Sequence, residues 1–130
     1  AYIKRSGNLL FIGRQNGVIS ATELKFAFEE SLSNIRLLGT ECAFFMRTDT
    51  SFQTEQALQI YSFFETAIET AMDDLKALLI NIRESDGRLI FNISAESNKD
   101  LGGLMPLADS YEFSIGCSSF TLRFDKEGEV

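Results

Sequence analysis

Histidine and tryptophan are absent from this sequence, and proline occurs once, at Pro106. Without histidine the chain cannot supply a Ser-His-Asp or Cys-His constellation, a phosphoaccepting histidine, or a mixed Cys/His zinc site. A single proline leaves long regular elements permitted almost everywhere. Cysteine is also scarce: Cys42 and Cys117 lie far apart in apolar, strand-like contexts. They read as buried free thiols of a reducing compartment, not as a disulfide or a nucleophile. Basic residues are few, 12 against 19 acidic, for a net charge of −7. Such a field repels phosphate backbones and anionic lipid, which argues against nucleic-acid partners and direct membrane contact. No apolar run approaches the roughly 20 residues that span a bilayer. The chain opens at Ala1 inside an ongoing pattern and reads as a piece of a longer protein. The expected location is cytoplasmic, with an upstream segment able to tether the domain to a membrane.

What is present suits one globular α/β domain. The chain has 130 residues, 45% of them hydrophobic and 24% charged. That length suffices to bury a core of its own. Twelve phenylalanines predict a core filled largely by Phe, Leu and Ile.

Residues 1–16 carry a weak helical pattern through Ile3, Leu9, Leu10 and Ile12, interrupted by Gly7 and Gly13. Asn16-Gly17 reads as a turn. Ser20 and Glu23 then form a capping box, and Leu24, Phe28, Leu32, Ile35 and Leu38 recur at spacings of three and four. This is an amphipathic helix, with Gly39 as its stop. The two helices predict an antiparallel hairpin over 1–39, a natural surface for homodimer formation. The α/β domain is expected over 40–130.

Residues 41–47 suit a short buried strand. The strongest helix runs from Thr54 to Asp73, with Ala57, Ile60, Tyr61, Phe64, Ala67, Ile68, Ala71 and Met72 on a wide apolar face. Strands follow at 76–84 and 88–95, joined by the hairpin signal Asp86-Gly87. Residues 97–110 read as an irregular loop, and two more strands close the chain at 111–116 and 119–124. The predicted fold is a two-layer α/β sandwich: a mostly antiparallel sheet with helices on one face, preceded by the hairpin.

The chemistry-bearing pattern is acidic. Glu65, Glu69 and Asp73 are spaced by four, so they project from one side of the strong helix. Carboxylates stacked in this way repel, and a cation such as Mg²⁺ would stabilise them. The plainer reading is a solvated helix face. Phe44, Phe45, Phe63 and Phe64 could line an apolar ligand pocket, but plain core explains them more simply.

From Leu58 to Phe124 the layout resembles the ATP-binding domain of histidine kinases and related GHKL ATPases. The residues that carry the resemblance are the helix Tyr61–Asp73, the Asp86-Gly87 hairpin, a glycine-containing loop and the closing FTLRF strand. The stretch Arg5-Ser6-Gly7-Asn8-Leu9-Leu10 is similar to the dimerisation helices of such kinases. The resemblance implies a catalytic or supporting glutamate at Glu65 and ATP with Mg²⁺ as cofactors. It puts Glu69 where the family carries its magnesium-binding asparagine, and Asp73 further along the same helix. Glu96, within Ser94-Ala95-Glu96-Ser97-Asn98, takes the place of the adenine-binding aspartate. Gly102 and Gly103 take that of the glycine-rich phosphate loop. The missing asparagine and Asp-x-Gly-x-Gly pattern imply eroded nucleotide motifs in a domain of a two-component-type signalling protein. Whether such a domain is an enzyme is left open by the residues. The alternative is a non-enzymatic dimerisation or regulatory module on the same scaffold, working with other signalling domains.

Overall fold

The computed structural model describes residues 17–49 and 51–125. The first helix expected above, and with it half of the hairpin, lies outside them.

The chain enters through β1 (Val18–Ile19) and turns at once into helix α1 (Ala21–Leu37). Ser20 Oγ accepts from the Glu23 amide, and the Glu23 carboxylate accepts from the Ser20 amide, so the capping box forms as the sequence predicts. The helix stops at Leu38, followed by Gly39 at φ +98°, a conformation that favours glycine. Strand β2 (Glu41–Arg47) comes next, then the short β3 (Phe52–Gln53), which pairs antiparallel with β1. Helix α2 (Thr54–Ala71) leads through a 3₁₀ turn at Met72–Asp74 into β4 (Leu75–Ser85). A tight turn with Asp86 at φ +54° and Gly87 at +77° joins β4 to β5 (Arg88–Ser97). The last strands are β6 (Ser110–Ser114) and β7 (Cys117–Asp125).

Five strands form the main sheet in the order β2-β4-β5-β7-β6. β2 and β4 run parallel because α2 carries the chain back across the sheet between them; every other pair is antiparallel. Along β5 the residues Leu89, Phe91, Ile93, Ala95 and Ser97 are buried while the intervening ones are not. Leu78, Ile80 and Ile82 of β4 and Ser118, Phe120 and Leu122 of β7 show the same period of two. All of these face the helices. The result is a two-layer α/β sandwich with its helices on one face.

Phe28 of α1 is the hub of the core. Its ring lies 5.3 Å from Phe44, 5.0 Å from Tyr61, 4.9 Å from Phe64 and 6.2 Å from Phe91. One side chain therefore ties both helices to the sheet. The stripe Leu24, Phe28, Leu32 and Ile35 is wholly buried in the same cluster as the sheet residues, so α1 is a layer of the α/β sandwich. Between the helices the hydroxyls of Ser31 and Tyr61 are hydrogen-bonded, which satisfies two polar groups inside the core.

Candidate functional site

Just past the C-terminus of α2, the 3₁₀ turn Met72–Asp74 meets the start of the segment 98–109 between β5 and β6. Hydrophobic burial anchors this segment through Leu101 and Leu104. Carboxylates fix the rest. Asp74 Oδ2 accepts from the Asn98 amide at 2.6 Å, and Asp73 lies 3.6 Å from the Lys99 ammonium. Asp100 Oδ1 accepts from the Gly102 amide at 2.9 Å, and Ser97 Oγ accepts from the Lys99 amide at 3.0 Å.

Gly102 and Gly103 open a 3₁₀ helix, Gly102–Leu107, where the sequence predicts an irregular loop. Neither has a positive φ, and a Cβ on Gly103 would meet nothing within 4 Å. On Gly102 it would meet only Asp100 Oδ1, at 3.1 Å.

Two concavities flank the segment. Gln59, Ser62 and Thr66, the polar edge of α2, border a cleft of about 180 Å³ closed by Phe63, Leu107 and Leu122. On the other side Ser97, Asn98, Lys99, Asp100, Phe113 and Gly116 surround about 460 Å³. Sites for small organic ligands typically occupy about 300–1,000 Å³. The larger hollow meets that size, but its one cation, Lys99, already faces Asp73.

The acidic residues singled out above do not converge. Glu65 is buried on α2 with 5% exposure, Glu69 is exposed one turn later, and Asp73 lies past the helix end in the 3₁₀ turn. Among the described residues no three His, Cys, Asp or Glu side chains gather as a metal site requires. Glu96 is further removed. It pairs with Ala77 and Cys117 and points, with Ser94, to the sheet face opposite the helices. The alternation of β5 forces this, since Ala95 and Ser97 take the inward positions. Ser97 is thus the strand-end side chain on the α2 side, and the period-two pattern of 89–97 was the signal for it. The Asp74 contact to Asn98 is long-range, and no local motif announces it.

No known family model matches the sequence, and no curated protein sequence does. Solved structures do. The histidine kinase AdeS of Acinetobacter baumannii is 11% identical with a TM-score of 0.59, over 95% of this chain and 76% of that one. The catalytic domain of histidine kinase ThkA is 11% identical with a TM-score of 0.60, over 84% and 95%. A bacterial phosphotransferase is 11% identical with a TM-score of 0.65, over 89% and 69%. The fold is that of the histidine kinase catalytic domain. No helix among the described residues is long and apolar enough to cross a membrane.

Proposed function

We propose that this chain is a histidine-kinase-like domain of a cytoplasmic signal-transduction protein that acts through protein contacts and has lost nucleotide binding. The observation that carries the reading is the carboxylate clamp on the segment after β5. A triphosphate needs free backbone amides and cations at that place. Here the Gly102 amide is given to Asp100, the Asn98 amide to Asp74, and Lys99 faces Asp73. The glycine pair runs in a 3₁₀ helix and not in a phosphate-cradling nest. Glu69 takes the family's magnesium position, but among the described residues no three acidic, His or Cys side chains gather there into an oxygen shell. The residues therefore fit Mg-ATP poorly.

The likeness in fold to histidine kinases supports a signalling role. Two free cysteines suit a reducing cytoplasm. Calorimetry tests the reading: Mg-ATP titrated to millimolar concentration at low salt should give no saturable heat. Saturable binding that weakens in Glu69→Ala would restore the nucleotide-binding alternative.

A further inference from the structure

Among the described residues no element covers the face of the sheet turned away from the helices, and beyond the Arg88–Asp125 pair at one end its next four rows of side chains are sorted by charge along the strands. Strand register places Arg47, Arg83, Ile90 and Arg123 in one row across β2, β4, β5 and β7. The next outward-facing row is Phe45, Asn81, Asn92 and Thr121, and the one after it Ala43, Leu79, Ser94 and Ser119. The last is Glu41, Ala77, Glu96 and Cys117, with Glu112 nearby on β6 opposite Ser119.

Three of the five described arginines thus sit at one end of one face in a chain of net charge −7. Arg47 lies directly opposite Arg83, and like charges so placed destabilise a strand pair. The acidic end is hollow: about 500 Å³ opens above Ala43, Ala77, Leu79 and Ser94, between Glu41 and Glu96. The basic end carries the projecting Phe45, 45% exposed, with the Arg47 guanidinium 5.7 Å from its ring centre.

We propose that this face docks a second copy of the same chain, sheet to sheet. The pairing uses a two-fold axis that crosses the strands at the Phe44-Ile80-Ile93-Phe120 row. That axis reverses strand direction while keeping each strand over its own copy. It sets the arginine row over the row of Glu41 and Glu96 of the second copy. Phe45 then comes over Ala43 of the second copy, a projecting ring above the small residues of the hollow. Each contact occurs twice, as a closed two-fold interface requires.

Stacked sheets pack about 10 Å apart, a distance these side chains can fill. The footprint, roughly 20 by 20 Å from strand spacing and rise, is about half the roughly 800 Å² per partner of a standard specific interface, so the dimer is weak, transient and salt-sensitive. The proposal concerns the face opposite the α2 cleft and holds whether or not nucleotide binds there.

Sedimentation equilibrium of the 130-residue chain at low salt is the test. A monomer–dimer equilibrium is expected, its Kd weakening about tenfold or more between 50 and 500 mM salt. Arg47→Glu and Glu41→Arg should each weaken it at least about tenfold while leaving the far-UV circular dichroism unchanged. An equimolar mixture of the two variants should recover association, because one supplies only acidic and the other only basic groups at the Arg47–Glu41 contact. A monomer throughout, or a dimer indifferent to both substitutions, would overturn the proposal.

Discussion

The two faces of the main sheet are made from the same strands by the same alternation, yet they solve opposite problems. The inner face is dry: Ile80, Phe91, Ile93 and Phe120 meet Phe28, Phe63 and Phe64 with 1% exposure or less for the four sheet residues. The outer face is sorted by polarity and keeps Leu79 39% exposed. Packing energy resides on one face and the capacity for recognition on the other. A substitution on the inner face should be felt as stability, and one on the outer face as association.

The largest expected effect comes from the hub of the inner face. Phe28→Ala removes a ring that touches both helices and two strands, and the surrounding aromatics cannot collapse fully into the gap. The loss should be about 3–5 kcal/mol, read as a lower urea midpoint at pH 7. Leu79→Ala on the outer face should cost less than about 1 kcal/mol at concentrations below those at which the proposed dimer forms. Equal losses at the two positions would break the contrast between the faces.

Polar groups sharpen it. Tyr61→Phe leaves the buried Ser31 hydroxyl without its helix-to-helix partner, at a cost of about 1–3 kcal/mol. On the outer face Asn92 Nδ2 reaches Ser119 Oγ at 3.2 Å, Phe120 O at 3.1 Å and Thr121 Oγ1 at 3.0 Å. Water can replace those bonds at a half-buried position, so Asn92→Ala should cost only about 1 kcal/mol. Paired denaturation curves of the two variants check the order.

Local signals were legible and distant ones were not. Ser20 with Glu23 and Asp86 with Gly87 each settle a helix start or a turn within four residues, and the structure contains both. The apolar stripe of α1 was equally plain, but a stripe does not say what covers it. The sequence predicts a dimer hairpin over 1–39, half of which lies outside the described residues; within them Phe44 and Phe91 pack against Phe28 of that stripe. β1 and β3 passed unnoticed because two-residue strands carry no period of their own. At the candidate site, Glu65 and Glu69 were placed correctly on the helix, but helical spacing cannot show that one is buried and the other exposed. The resemblance sets Glu96 in the place of an adenine-binding aspartate, while the alternation of its own strand turns it to the face opposite the helices. The clamp joins Asp74 to Asn98, 24 residues on, and Asp73 to Lys99, 26 residues on (99 − 73), where no pattern rule reaches.

The smallest expected effect lies at the rim between the two faces. Cys42 on β2 is partly buried, with its thiol 3.7 Å from the Thr40 carbonyl oxygen and Arg36 bonded to its own carbonyl. Burial pushes the thiol pKa up, because the thiolate loses its hydration, and the Arg36 charge offsets only part of that rise. The folded chain therefore holds this proton more tightly than the unfolded one. The resulting stability is fully present below the ordinary thiol pKa, roughly 8.5, and is lost as pH rises through the higher folded value. Because the thiol is only partly buried, the change in midpoint should be slight. Alkylation is the more sensitive readout: since the thiolate is the reacting species, iodoacetamide at mildly alkaline pH should modify Cys42 more slowly than the same residue in the urea-unfolded chain. Arg36→Ala should slow it further by removing the stabilising charge. A faster reaction in that variant would mean that Arg36 shields the thiol by packing, and that charge at the rim counts for less than access.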